Sequence, residues 1–202
     1  EWMEIIFRDT GSDPMHYASH FYLLNENNEW FEVTQLELPE NITSIGDYEY
    51  QGYELIVSLN IPEGVTSIGY YSFANCTNLT KLELPSSLTN VQYDAFNSCE
   101  KLDSVYYHGT FEEWMNIDFA GWSSNPMEYA SHFYMLDENS EWYEVKNFII
   151  PESITKIKQY TFRGFDNLEM ITLHSNITEI SYSAFENWNT EKGVNICFDG
   201  TV

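Results

Sequence analysis

The sequence predicts a solenoid, in which short coils of similar sequence stack into parallel β-sheets around a shared core. Three observations predict it: a long internal duplication, a shorter repeat of 23 residues, and an alternating strand pattern within each short repeat. The composition agrees, because 43% of the 202 residues are hydrophobic and 17% are aromatic. That content is enough to bury a sizeable core and excludes a wholly disordered chain.

The duplication relates two segments, one at the beginning of the chain and one near the beginning of its second half. Residues 1–32 align with residues 113–144 at an offset of 112 without a gap, and 20 of the 32 positions are identical. The shared words include Glu-Trp-Met at the start and Tyr-Ala-Ser-His-Phe-Tyr at residues 17–22 and 129–134. We interpret residues 1–32 and 108–144 as two copies of a linking unit between blocks of shorter repeats.

The linking unit carries signals for a short helix followed by a hairpin. Thr110 and Glu113 have the spacing of a capping box, and Asn125-Pro126 begins a second helical turn. Residues 131–136 and 141–145 flank a polar turn, which is typical of paired strands. The sequence therefore predicts two helix-hairpin inserts in an otherwise regular solenoid.

The shorter repeat has a period of 23 residues, shown most clearly by Pro39, Pro62 and Pro85. One consensus, LxxLxLPxxΦTxΦxxxAF with an apolar residue at each Φ, covers all copies. Residues 33–107 hold three repeats and a partial one, and residues 145–202 hold two repeats and a partial one. We expect residues 1–202 to form one continuous array that belongs to a longer protein.

The best copy of the repeat shows how a coil buries its apolar side. Leu82 and Leu84 alternate with Lys81 and Glu83, so the leucines point to the core and the charged side chains point outward. Pro85 cannot donate a ladder hydrogen bond and is expected to end the strand. Such a strand cannot bury its apolar face alone, which explains why the repeats occur in arrays.

The LxxLxL strand, with the 23-residue unit at Ile61-Pro62 through Thr80, resembles the BspA-like leucine-rich-repeat family. The resemblance implies a leucine-rich-repeat solenoid: a right-handed superhelix of the α/β class, rich in β with short helical turns. It places a parallel β-sheet on the concave face. It also implies an extracellular protein, secreted or attached to the cell surface, that adheres to host proteins, matrix or other bacteria.

The outward side chains of the concave strands are the candidate ligand-binding residues. They vary while the inward positions stay apolar, as a recognition surface requires, although an unconstrained solvated face would show the same variation. The candidates are Gln35, Glu37, Ser58, Asn60, Lys81, Glu83, Ser104, Tyr106, Asn147, Ile149, Met170 and Thr172.

Charge and motif content exclude several classes of function. A net charge of −24 argues against nucleic acid as a partner, and no apolar run approaches the ~20 residues needed for membrane insertion. Nucleophile, phosphate-binding and zinc motifs are missing, so we expect a non-enzymatic protein without catalytic residues, metal ligands or cofactors. Asp137-x-Asn139-x-Glu141 is no EF-hand, because Phe148 occupies the twelfth position, but weak calcium binding to the acidic surface stays open.

The three cysteines do not predict a disulfide framework. Cys76 and Cys99 occupy the same slot of adjacent repeats, where other repeats carry aromatic residues. An apolar slot favours free buried thiols over a disulfide between these two cysteines. Cys197 has no obvious partner.

We expect a monomeric binding module for a host or bacterial surface protein, whose ligand has basic patches that complement the acidic chain. One alternative is carbohydrate targeting for a larger secreted enzyme, with Tyr106, Trp122, Tyr134 and Trp188 as conceivable stacking residues. Another is a spacer that holds a further domain away from the cell wall. A hydrolase is the weakest alternative.

Overall fold

The structure is a computed structural model that describes residues 22–32, 36–188 and 193–199. Within these ranges the chain is a solenoid of parallel strands, which confirms the predicted fold class. Described helix is limited to α1 (Phe111–Asn116) and a 3-10 helix (Pro126–Glu128). No helix in the described part is long and apolar enough to cross a membrane.

Short strands of two to five residues supply the sheets. In chain order they are β1 (Tyr22–Leu24), β2 (Trp30–Glu32), β3 (Leu36–Glu37), β4 (Ser44–Ile45), β5 (Ser58–Asn60), β6 (Ser67–Ile68), β7 (Lys81–Leu84), β8 (Asn90–Val91), β9 (Ser104–Tyr107), β10 (Asp118–Phe119), β11 (His132–Leu136), β12 (Trp142–Glu144), β13 (Asn147–Ile149), β14 (Lys156–Ile157), β15 (Met170–His174), β16 (Glu179–Ile180) and β17 (Asn195–Asp199).

The concave sheet contains the parallel strands β3, β5, β7, β9 and β11, with β12 antiparallel at its edge. Leu82 pairs with Leu59 on one side and with Val105 on the other, so equivalent residues of successive coils lie side by side. All three side chains are fully buried. Strands β13, β15 and β17 form a second parallel sheet of the same kind.

The second half of most coils contributes a two-residue strand to a narrower sheet. Strands β4, β6, β8 and β10 form one such sheet, and β14 and β16 form another. In the first of these narrow sheets, the inward residues Ile45, Ile68, Val91 and Phe119 are buried. The two kinds of sheet enclose one contiguous apolar core that extends from Leu38 to Ala184.

Stacked aromatic rings fill the corners that follow the narrow strands β4, β6 and β8. The ring of Phe73 lies 5.4 Å from that of Tyr50 and 5.7 Å from that of Phe96, and neighbouring planes differ by 9°. All three rings are buried. This ladder explains why the repeat keeps an aromatic residue at this position, since each ring packs on its equivalent in the next coil.

The repeated threonine of the consensus joins one coil to the next. Both the N–H and the hydroxyl of Thr66 donate to the carbonyl oxygen of Thr43, at 2.9 and 3.2 Å. Thr89 makes the same pair of bonds to Thr66, at 2.9 and 3.0 Å. A threonine thus offers two donors to one carbonyl, where another residue would offer only its N–H.

The prediction of two helix-hairpin inserts is not supported: it is wrong for residues 108–144, although the elements expected there do form. The hydroxyl of Thr110 accepts from the N–H of Glu113, whose carboxylate accepts from the N–H of Thr110, so the capping box is confirmed. The hairpin of β11 and β12 also forms. However, β10 pairs in parallel with β8 and β11 pairs in parallel with β9. The segment therefore continues the solenoid.

The reason lies in the inward residues of this segment. Phe133 and Met135 of β11 are buried in the same alternation as the leucines of the repeats, and Trp114 of α1 is fully buried beneath them. These side chains complete the core, so the segment packs as a coil and does not project from the array. Of the first linking unit, the β1–β2 hairpin is described, and residues 1–21 lie outside the described residues.

The cysteines differ in their surroundings. Cys76 and Cys99 are buried free thiols, and Cys197 is an exposed free thiol. Burial raises the pKa of the Cys99 thiol to about 12 and also raises the pKa of Cys76. Neither buried thiol is suited to act as a nucleophile, because the thiolate is the reactive form.

Candidate ligand-binding face

The outward side chains of the concave sheet form two rows that cross its strands, and none of the described candidates in these rows is buried. The first row contains Ser58, Lys81, Ser104 and His132. The second row contains Glu37, Asn60, Glu83, Tyr106, Tyr134 and Glu144. The predicted residue Gln35 lies outside the described residues.

The remaining predicted residues lie on the other concave sheet. Asn147 pairs with Met170, and Ile149 pairs with Thr172. Ile149 is 59% exposed, and the four side chains include no charge and no aromatic ring. The structure therefore divides the predicted residues between two sheets and concentrates the chemically varied side chains on the first.

Four rings gather at the end of the first sheet, and we name Tyr106, His108, Tyr134 and Trp142 the concave aromatic cluster. Tyr106 and Tyr134 stack with centroids 4.5 Å apart and planes 9° from parallel. The ring of Trp142 lies edge-on to Tyr106 at 5.0 Å and edge-on to His108 at 4.9 Å. Trp142 is 37% exposed, so the cluster combines fixed geometry with accessible aromatic surface.

Sequence reasoning found only part of this cluster. Tyr106 was among the predicted binding residues, and Tyr134 was a conceivable stacking residue for carbohydrate. Trp142 and His108 were not predicted, because their contact depends on β12 folding back beside β11. The only sequence signal was the hairpin pattern, which predicts pairing between neighbouring segments but not contact with a residue of β9.

The two faces of the Tyr106 ring are both occupied. The Nζ atom of Lys81, on β7, lies 4.4 Å from the ring centroid, and Tyr134, on β11, stacks from the other side. Because β7 and β11 flank β9, the two contacts approach from opposite directions. A sugar ring therefore finds no open face on Tyr106.

The other two residues considered for carbohydrate stacking are also engaged. The ring of Trp122 lies 5.7 Å from the Arg163 guanidinium, although 45% of this tryptophan is exposed. Trp188 packs against the core, and its ring nitrogen donates to the carbonyl oxygen of Phe162. The four aromatic residues named from the sequence do not form one sugar-binding surface.

Two carboxylates, each bound by a lysine and a histidine, flank the aromatic cluster. Glu83 binds Lys81 at 2.7 Å and His108 at 3.3 Å. Glu144 binds His132 and Lys146, each at 2.6 Å. Burial alone would raise the pKa of Glu83 and of Glu144, but the hydrogen bonds from these lysine and histidine partners outweigh it and hold both pKa values below their usual range. Both carboxylates are therefore charged at neutral pH and already partnered.

The arrangement is suited to binding and shows no catalytic constellation in the described residues. No group of three potential metal ligands is found among them. The Asp137 carboxylate accepts hydrogen bonds from the backbone N–H groups of Glu141 and Asn139, at 2.9 and 2.8 Å. These hydrogen bonds lower the pKa of Asp137, with the bond from Glu141 contributing most, and they hold its carboxylate in the hairpin turn. Its acidic pattern thus has a structural role.

Stacked coils, paired parallel sheets and a leucine-lined core define this protein as a leucine-rich-repeat solenoid. The chain belongs to the family described as the BspA type leucine rich repeat region. Six copies of that family's repeat match residues 27–140 and 137–197. The resemblance seen in the sequence is therefore confirmed.

Solved structures to which this chain is similar come from several bacteria. A leucine-rich repeat protein of T. pallidum is 16% identical, covers 90% of this chain and 83% of its own, and has a TM-score of 0.39. A Bacteroides capillosus leucine-rich repeat protein is 23% identical over 57% of this chain and 72% of its own, with a TM-score of 0.37. A leucine rich cell surface protein of Faecalibacterium prausnitzii is 16% identical over 89% and 75%, with a TM-score of 0.26. The chain matches no curated protein sequence.

Proposed function

We propose that this protein is a non-enzymatic, extracellular adhesion module that binds a protein ligand through its concave face. The observation that carries the proposal is the concave aromatic cluster. Tryptophan and tyrosine residues that are fixed by their neighbours and rimmed by polar groups supply most of the binding energy at protein interfaces. Membership of a repeat family supports a repeat-based interaction module, and the family resemblance supports a cell-surface or secreted location.

The packing around the cluster favours a protein over a polysaccharide as the ligand. Pyranose rings need an open aromatic face, but Lys81 and Tyr134 cover both faces of Tyr106. A protein ligand can instead contact the partly exposed Trp142 and the charged rim at the same time. The net charge of −24 favours ligands with basic patches, since opposite charges speed the encounter.

The test is a binding screen of the protein against matrix proteins, mucins and polysaccharides at two salt concentrations. For each protein ligand found, Trp142→Ala is expected to weaken binding about 10-fold or more, because it removes the exposed part of the cluster. Trp30→Ala is the matched control. Trp30 is the residue equivalent to Trp142 in the first linking unit, it is 70% exposed, and the described residues give it no stacked tyrosine pair.

The outcomes separate the alternatives. A protein ligand whose binding is insensitive to Trp142→Ala contradicts the assignment to the concave cluster. Binding to polysaccharides alone would favour the carbohydrate-targeting module of a larger enzyme. No binding across the panel would favour the spacer.

A further inference from the structure

The narrow sheet is interrupted between β10 and β14. Strand β10 ends one sheet and β14 begins the other, and no ladder joins them. The coil between them contributes β11 and then β12 to the concave sheet, but no described strand to the narrow sheet. The narrow sheet therefore lacks one strand at the position of this coil.

The parallel ladder shows which backbone groups a strand at this position would meet. Within the narrow sheet, the N–H of Gln92 donates to the carbonyl oxygen of Ile68, and the N–H of Ala120 donates to that of Val91. By this pattern, Phe119 would offer its N–H and carbonyl to a following strand, and Lys158 would offer its N–H to a preceding one. Strand β10 has a ladder with β8 alone, and outside the strand ladders no described backbone hydrogen bond is donated by the N–H of Phe119 or of Lys158.

Two side chains span the gap in place of a strand. Lys158 donates through Nζ to the carbonyl oxygen of Asn116 at 2.8 Å and to the carboxylate of Asp118 at 2.6 Å. Gln159 donates through Nε2 to the carbonyl oxygen of Phe119 at 3.3 Å. Long side chains, and not peptide groups, make these bonds, so the gap exceeds the ~4.8 Å spacing of paired strands.

The gap opens into a groove of about 690 Å³. Phe119 and Ile157, whose side chains are buried, point into the core beneath the strands that flank it. Lys156 lies on its lining next to Glu179, at 2.7 Å, and both side chains are at least half exposed. The groove therefore combines an edge of β10 that has no strand partner with a closed apolar core and partly exposed charged side chains.

We propose that this groove binds an extended segment of another protein, which adds as a parallel strand between β10 and β14. Strand addition to an exposed sheet edge is a general mode of peptide recognition, and here the two edges face one another. The residue that faces inward must be small, such as glycine, alanine or serine, because Phe119 and Ile157 already fill the core. An acidic residue of the segment would compete with Glu179 for the ammonium group of Lys156.

The test uses a display library of random ten-residue peptides selected on the wild-type protein, followed by two variants at one position. Lys158→Ala keeps the N–H and removes the side chain that crosses the gap, so enriched peptides are expected to bind several-fold more tightly. Lys158→Pro also removes the N–H, and binding is expected to fall about 5- to 10-fold below that of the alanine variant. Peptides that Trp142→Ala weakens bind the concave cluster and are set aside. Trp30→Ala, outside the groove, is expected to leave the binding of the remaining peptides unchanged.

A second measurement keeps the test valid if the proline variant folds poorly. In the wild-type protein, hydrogen exchange at the amides of Phe119 and Lys158 is expected to slow when an enriched peptide is added. The proposal is overturned if no peptide is enriched, if enriched peptides bind the two Lys158 variants equally, or if those amides stay unprotected. None of these outcomes bears on the concave cluster, so the two sites are tested separately.

Discussion

At the scale of the residue, the corners of the coils hold non-glycine residues in the left-handed backbone conformation. Tyr48, Tyr71 and Tyr160 have φ values of 60°, 54° and 60°, and their equivalents Asp94 and Ser183 have 58° and 55°. The left-handed region costs a non-glycine residue roughly 1–2 kcal/mol. Stacking of Tyr48 on Tyr71, at 5.4 Å with planes 3° apart, offsets part of that cost. The sequence pattern gave no sign of this, because tyrosine has no preference for such a corner.

The repeat position of Cys76 and Cys99 shows how burial makes a thiol unreactive. The thiol of Cys76 donates to the carbonyl oxygen of Tyr50 at 3.4 Å, and that of Cys99 donates to Phe73 at 3.3 Å. The slot is apolar in every repeat, and burial keeps the thiols protonated. These residues are therefore structural, as the alternation of cysteine and aromatic side chains in the slot indicates.

We predict that iodoacetamide modifies only Cys197 in the native protein at pH 8. Cys197 is exposed, whereas Cys76 and Cys99 are buried and burial raises the pKa of Cys99 to about 12, so almost no thiolate is present. Mass spectrometry after alkylation checks this. In denaturant without reductant all three cysteines are expected to react. Alkylation of Cys99 in the native protein would contradict the prediction. So would two cysteines that stay unmodified in denaturant, because they would form a disulfide.

At the scale of the element, the sequence was sufficient to predict those structures that depend on residues close together in the chain. The strand of Lys81–Leu84, the capping box at Thr110 and the β11–β12 hairpin all follow from spacing within a few residues. The sequence was insufficient to predict pairing between strands that are far apart in the chain. That β11 joins the concave sheet depends on its register with β9, in which His132 pairs with Ser104. Alternation alone cannot distinguish a strand in an insert from a strand in a coil.

The connection between the linking segment and the second block depends on Arg163. Its side chain is 12% exposed and binds Glu128, which is 11% exposed, at 2.6 Å. It also pairs with the more exposed Glu186. Trp122 and Tyr160 cover the guanidinium at 5.7 and 6.0 Å. Removing the arginine would leave the carboxylate of Glu128 nearly buried without its cation.

We predict that Arg163→Ala lowers the free energy of unfolding by about 3 kcal/mol, because an uncompensated buried charge costs this much. Lys156→Ala is the matched control, since the pair of Lys156 and Glu179 is half exposed and is expected to contribute less than about 1 kcal/mol. Urea denaturation measures both. Equal effects of the two variants would show that the Arg163 site is as solvated as the control pair.

At the scale of the whole molecule, the fold depends on contacts between neighbouring coils, which enclose one core from Leu38 to Ala184. In such a solenoid each coil contacts chiefly its neighbours, so cooperativity depends on every interface between coils. The interface most at risk is that between residues 108–144 and the second block, because there the narrow sheet is interrupted and side chains must carry the contact.

Trp114 bridges that interface. Its ring is fully buried and contacts Tyr107 at 5.3 Å and Phe133 at 4.6 Å on one side, and Phe165 at 5.7 Å on the other. Its ring nitrogen donates to the carbonyl oxygen of Thr161 at 3.2 Å. One side chain thus joins the core of the first block to that of the second.

We therefore predict that Trp114→Ala uncouples the two blocks as well as destabilising the protein by about 3–5 kcal/mol. Hydrogen exchange in urea, followed separately in β7 and β15, is expected to show one shared transition in the wild-type protein and two in the variant, because nearest-neighbour cooperativity fails at the weakest interface. Trp30→Ala removes an exposed tryptophan and is expected to keep one transition. Coincident transitions in Trp114→Ala would mean that the concave sheets and the Arg163 contacts alone hold the array together, and that the interrupted narrow sheet is not its weakest point.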